Sequence, residues 1–144
     1  MHAVKKTGIN IILLLIMATK NKINIEYFLN ASPEMLYQYI STPSGLSEWF
    51  SDKVSAKGNN FIFQWMGSGE ECAKMIARRV DSLVRFRWDS DMGTSYYFEM
   101  RVEQDELTGD VSLVITDFAR TGDENYVEQM WDAAIQNLKK LIGA

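Results

Sequence analysis

The sequence predicts one α+β domain, in which an antiparallel sheet of about six to seven strands is closed by a long C-terminal helix. Three observations carry this. Strand-like alternation recurs from Ile23 to Phe118, broken by short turns. Two short helical segments interrupt it just after the first strand. After Thr121 the periodicity changes to that of one sustained amphipathic helix.

The first strand reads as Ile23 to Asn30, with Ile23, Ile25, Tyr27 and Leu29 alternating with Asn24, Glu26, Phe28 and Asn30. Period two of this kind marks a sheet with one buried face. Ser32-Pro33-Glu34 then starts a helix. Ser32 can accept from the free N–H groups, Pro33 suits the first turn, and Glu34 favours the positive helix end. Met35, Leu36, Tyr39 and Ile40 give this helix its apolar face. Thr42-Pro43-Ser44-Gly45 breaks it, and Leu46-Ser47-Glu48-Trp49-Phe50 reads as a second short helix.

From Val54 the pattern is strands and turns. Phe61, Phe63 and Trp65 alternate with Ile62 and Gln64, and Gly67-Ser68-Gly69 supplies a hairpin turn. Glu71 to Val80 and Leu83 to Trp88 follow, joined at Asp81-Ser82; Asp89 to Gly93 makes another turn. Tyr96, Phe98, Met100 and Val102 alternate next, and after Leu107-Thr108-Gly109-Asp110 comes a last strand, Val111 to Phe118. Turns this short join antiparallel neighbours, because parallel pairs need long crossovers.

Thr121 and Glu124 have the spacing of a capping box at the start of the closing helix. Val127, Met130, Trp131, Ala134, Ile135, Leu138, Leu141 and Ile142 form its apolar stripe. Lys139 and Lys140 offset the negative end, and Gly143 is a natural stop. At 1.5 Å per residue the helix is roughly 28 Å long, enough to cross a small sheet.

A chain of 144 residues with 47% hydrophobic and 24% charged residues suits one folded domain without staples. Cys72, the only cysteine, excludes an intrachain disulfide and fits a reducing, cytoplasmic setting. The net charge of −4 gives no electrostatic basis for nucleic-acid binding. The apolar run Ile9 to Met17, after Lys5-Lys6, is too short for stable membrane insertion. Residues 1–16 read as an extension with Met17 as the alternative start, so the domain is expected over 17–144. A signal or anchor, or a further strand, are the other readings of this stretch.

The single histidine, His2, lies in that extension, so no Ser-His-Asp or Cys-His pairing can form within the domain. One His and one Cys also leave no usual zinc set. Gly67-Ser68-Gly69 lacks the context of a phosphate-binding loop, and Asp89 and Asp91 lack the glycine and distal glutamate of a calcium loop. No catalytic residue, metal or cofactor is therefore assigned.

Several pieces, in their order and spacing, resemble the START-like, or helix-grip, superfamily. They are Ala31-Ser32-Pro33-Glu34 into Leu36, Thr42-Pro43 before Leu46 and Trp49-Phe50, and Phe61-Ile62-Phe63 after Gly58. Val84-Arg85-Phe86-Arg87-Trp88 and Trp131 complete the set. Within the superfamily the chain is most similar to proteins related to the activator of a heat-shock chaperone ATPase. Leu107 to Asp110 and Thr116 to Ala119 resemble a bacterial START-like subgroup. The resemblance implies a curved sheet wrapped around the last helix, a bacterial protein, and a cavity between sheet and helix.

The cavity expectation rests on an inward set: Tyr27, Phe63, Trp65, Met75, Phe86, Trp88, Phe98, Met100, Met130 and Trp131. Such residues form ordinary cores as well as ligand pockets, and periodicity leaves both open. Trp49 and Phe50 take the position of a lid in similar folds. Asp117 reads either as a strand-end cap or, following Leu113 and Ile115 inward, as a polar anchor with a raised pKa. Arg85, Arg87, Glu99 and Arg101 are expected on the outer, wet face as cross-strand ion pairs. The leading function is binding of a hydrophobic or amphipathic small molecule. A chaperone-associated interaction module is the alternative. A cyclase- or hydratase-like enzyme, using Asp117 or Tyr27, comes third.

Overall fold

The computed structural model describes residues 19–143. Its elements run β1 (Lys20–Leu29), α1 (Pro33–Ser41), α2 (Pro43–Trp49), β2 (Lys53–Lys57), β3 (Asn60–Trp65) and β4 (Gly69–Arg79). They continue with β5 (Leu83–Trp88), a short 3-10 turn (Asp89–Asp91), β6 (Phe98–Gln104), β7 (Val111–Arg120) and α3 (Glu124–Ile142). The seven strands make one antiparallel sheet in the order β1-β7-β6-β5-β4-β3-β2. This is the helix-grip arrangement the sequence implied. No described helix is long and apolar enough to cross a membrane. The expected boundary at residue 16 lies outside the described residues.

Successive hairpins build most of the sheet, but among the described residues β1 pairs only with β7, from Lys20 opposite Arg120 to Leu29 opposite Val111. Between Met75 and Ala77 the β4–β5 register shifts, a bulge that bends the strand and strengthens its twist. The concave face presents Phe61, Phe63, Val84, Phe86, Met100, Leu113 and Ile115 to Leu36, Ile40, Leu46, Ile135 and Leu138 from the helices. Each such fully buried side chain contributes about 1.5–3 kcal/mol of transfer free energy.

At α1, the Ser32 hydroxyl accepts from the Met35 N–H at 3.1 Å, with Pro33 in the first turn as expected. The inward face differs by one residue: Tyr37 is buried, whereas Met35 is 46% exposed. Both fit a 3.6-residue period, and the helix is rotated so that Leu36, Tyr37 and Ile40 meet the sheet. The second helix starts at Pro43, earlier than expected, because Thr42 is extended and its hydroxyl accepts from the Gly45 N–H at 2.9 Å.

The predicted capping box at α3 does not form. Asp123 occupies the cap position without a side-chain bond. Instead the Asn21 amide of β1 donates to both Thr121 Oγ1 and Glu124 Oε2 at 3.1 Å, and the Gly122 N–H donates to Glu124 Oε1. The helix start is thus stapled to the first strand. Leu141 and Met130, expected inward, are 42% and 55% exposed. Gly143 ends the helix in the left-handed conformation, where glycine carries no Cβ penalty.

The outer face of the sheet holds one of the expected cross-strand pairs, Arg85 with Glu99, while Arg101 meets Glu99 along β6 itself and Arg87 makes no ion pair among the described residues. Glu99 itself is 3% exposed, so the carboxylate is dry although its arginine partners still reach solvent. Its carboxylate accepts from Arg85 at 2.8 Å and from Arg101 at 2.9 Å, and Arg85 also lies 4.1 Å over the Tyr97 ring. Arg87 donates instead to the Tyr96 carbonyl at 2.8 Å. Tyr96 precedes β6 rather than opening it.

Candidate functional site

The end of α2 is pinned by three bonds, two of them to β3. Ser51 Oγ donates to the Gln64 carbonyl at 2.6 Å, and Trp65 Nε1 donates to the Phe50 carbonyl at 3.2 Å. Trp49 Nε1 donates to the Tyr39 carbonyl at 2.9 Å, tying α2 back to α1. These bonds fix the backbone of Phe50 and turn its ring inward. The ring stacks on Phe98 at 5.8 Å and approaches Trp131 at 5.6 Å and Phe63 at 5.3 Å.

Beside this ring the sheet and α3 do not close completely. A half-open cleft of about 420 Å³ remains, bounded by Phe50, Trp65, Trp88, Phe98 and Trp131. Trp88 and Phe98 lie 5.0 Å apart, and Phe98 is 6.0 Å from Trp131, so aromatic rings form a continuous wall. Val127, Met130 and Ala134 of α3 line the opposite side, with Ser68 and Glu71 contributed by the β3–β4 hairpin. A second depression of about 360 Å³ between α2 and α3 shares Phe50, Trp65 and Ala134 with the first. Phe50 therefore stands between the two.

Asp117 is the polar residue set into this wall by the sheet. Alternation along β7 puts it on the same face as Leu113 and Ile115. Trp131 Nε1 donates to its Oδ2 at 2.8 Å, and the Phe118 N–H donates to Oδ1 at 2.7 Å. Burial disfavours the charged form and pushes the carboxyl pKa upward. The two hydrogen bonds and the nearby Lys20 ammonium oppose that push, and Asp91 adds to it. Lys20 itself is engaged with Asp91 at 3.1 Å.

Of the thirteen candidates, Phe50, Trp65, Trp88, Phe98, Asp117, Met130 and Trp131 line the cleft. Phe63, Phe86 and Met100 are fully buried and Met75 nearly so; they pack against one another as core. Trp49 is 4% exposed and buried between the two short helices and the core, so Phe50, not Trp49, faces the cleft. Tyr27 lies away from it. The Tyr27 hydroxyl donates to Asp132 at 2.6 Å, and burial with that neighbour pushes its pKa well above the usual range. The hydratase-like alternative thus loses one of its two named groups. Sequence reasoning missed Ser68, Glu71, Val127 and Ala134. Val127 and Ala134 were legible on the helical stripe, whereas turn residues such as Ser68 carry no periodic signal.

A curved antiparallel sheet gripping a long C-terminal helix, with a partly open aromatic cleft between them, defines a protein of the helix-grip class. A family model of the START-like superfamily domain matches residues 17–144, and the chain belongs to that superfamily. A Bacteroides fragilis protein solved by solution NMR is 36% identical, over 85% of this chain and 90% of that one, with a TM-score of 0.62. The solution structure of the Aha1 dimer from Colwellia psychrerythraea gives a TM-score of 0.72 at 21% identity, over 85% and 96% of the two chains. DynU16, a protein of the dynemicin biosynthetic locus, gives 0.71 at 11% identity, over 88% of this chain and 48% of that one. These last two likenesses concern the fold. No curated protein gives a significant match.

Proposed function

We propose that the protein binds a hydrophobic or amphipathic small molecule in the cleft between the sheet and α3. The observation that carries this reading is the cleft of about 420 Å³, walled by five aromatic rings with one hydrogen-bonded carboxyl group among them. That volume lies within the range of about 300–1,000 Å³ usual for small-molecule sites, and a mostly apolar lining with few fixed polar groups is their usual chemistry. Tryptophan and methionine supply broad, adaptable contact surface. The bacterial origin of the 36% identical relative and the lone free Cys72 support a bacterial, cytoplasmic setting. A chaperone-associated role draws on the likeness to Aha1, which bears on fold alone at 21% identity, so we place it second.

The test is titration with sterols, fatty acids, fatty alcohols and aromatic polyketides, followed by tryptophan fluorescence. Trp65, Trp88 and Trp131 all line the cleft, so occupation should shift or quench emission saturably. No saturable response in any class would count decisively against a ligand site.

A further inference from the structure

The charge of the cleft lining narrows the ligand class, granted that the cleft is a ligand site. Its ionisable side chains are Asp117 and Glu71, and no lysine, arginine or histidine lines it among the described residues. Asp117 makes no ion pair among the described residues; its two hydrogen-bond donors are a backbone N–H and an indole N–H. Each carboxylate oxygen thus keeps a free lone pair. An anionic ligand would add a third negative charge to this space, where no cation among the described residues lines the cleft and the nearby Lys20 ammonium is already paired with Asp91 at 3.1 Å, which is costly.

The walls favour the opposite charge. The faces of Trp65, Trp88, Phe98, Phe50 and Trp131 carry negative quadrupole potential, and tryptophan is the best aromatic partner for a cation. A buried carboxyl held in place by two N–H donors, with no cation in contact among the described residues and its nearest ammonium, Lys20, engaged by Asp91, is a preorganised partner for a positive head group. We propose that the cleft takes an organic cation, an ammonium group carried on an apolar or aromatic body, with the ammonium on Asp117 and the body against the tryptophans. The Glu71 carboxylate at the hairpin adds a second, more exposed attraction at the mouth.

Phenylbutylamine, phenylbutanol and phenylbutyrate share one body and differ in head group, and they leave tryptophan emission readable. At neutral pH and low salt, the amine is expected to bind at least about tenfold more tightly than the carboxylate, with the alcohol between. Asp117→Asn should weaken the amine about tenfold and leave the alcohol within about twofold. If that variant does not fold by circular dichroism, Glu71→Gln, on an exposed residue, should still weaken the amine a few-fold and make its affinity less salt-dependent. Carboxylate binding as tight as the amine's, amine binding indifferent to a folded Asp117→Asn, or, where that variant does not fold, amine binding indifferent to Glu71→Gln, overturns the cation assignment while leaving the cleft as a ligand site. No saturation by any of the three, nor by sterols, fatty compounds or polyketides, overturns the cleft reading itself and the cation assignment with it.

Discussion

The indole N–H of Trp131 and the carboxylate of Asp117 are joined at 2.8 Å, linking the middle of the last helix to the last strand at the wall of the cleft. One residue is the main aromatic anchor of α3, and the other is the carboxyl group set into the apolar wall by the sheet. Their bond makes the helix position and the protonation state of the cleft interdependent.

Burial raises the Asp117 pKa, so its carboxyl carbon, followed by NMR, should titrate with a midpoint above 3.8. The native state then holds this proton more tightly than the unfolded chain does. Its contribution to stability is therefore greatest at low pH and falls as pH rises through the window between 3.8 and the raised value. Urea midpoints of the wild type and Asp117→Asn, compared across that window, should shift steadily in favour of the variant as pH increases. A midpoint at or below 3.8 would contradict the burial argument.

Removing the partners of Glu99 should cost more than removing Glu99. The carboxylate is 3% exposed, while its arginines reach solvent. Replacing both Arg85 and Arg101 by Met strands a buried charge, at about 3–5 kcal/mol. Glu99→Ala leaves arginines that water can still solvate, at about 1–3 kcal/mol. Equilibrium urea unfolding measures both, and the reverse order would refute this account.

A side chain at Gly45 should loosen the cleft without touching it. A Cβ there would overlap the Gln38 carbonyl oxygen and lie 2.8 Å from the Tyr39 Cα, so α1 and α2 would have to move apart. Gly45→Ala is expected to cost about 1–3 kcal/mol and to weaken ligand binding by displacing Phe50. A variant with wild-type stability would show that the corner is more pliant than its geometry states.

Core and cleft positions should respond differently to truncation. Phe86→Ala, at a fully buried ring, should cost about 3–5 kcal/mol. Met130→Ala, 55% exposed at the cleft, should stay within about 0.5 kcal/mol yet reduce ligand affinity. Thermal or urea unfolding beside a binding isotherm separates the two effects.

These contrasts also mark how far the residues alone could lead. The bounds of β5 were legible because Val84, Phe86 and Trp88 alternate cleanly with Arg85 and Arg87, and α3 was legible from its stripe. Alternation reports which face a side chain takes, not its depth. Phe86 and Trp88 share a face, yet one is sealed core and the other lines open space. Rotation of α1 by one residue, and the staple from Asn21 to Glu124, depend on contacts between elements far apart in the chain, which a local period does not encode.

Chain order gives the β1–β7 ladder a further significance during synthesis. Among the described residues β1 is the first strand to be made, and its one partner there is the last, with Lys20 opposite Arg120. On the ribosome β1 must wait, its hydrogen-bonding edge unsatisfied, until nearly the whole domain has emerged. The hairpins from β2 to β6 can pair as they appear, but closure of this large loop carries the entropic cost of long-range pairing. The waiting strand, with Ile23, Ile25 and Leu29 along one side, is then the segment most open to chaperones or to self-association before the domain is complete.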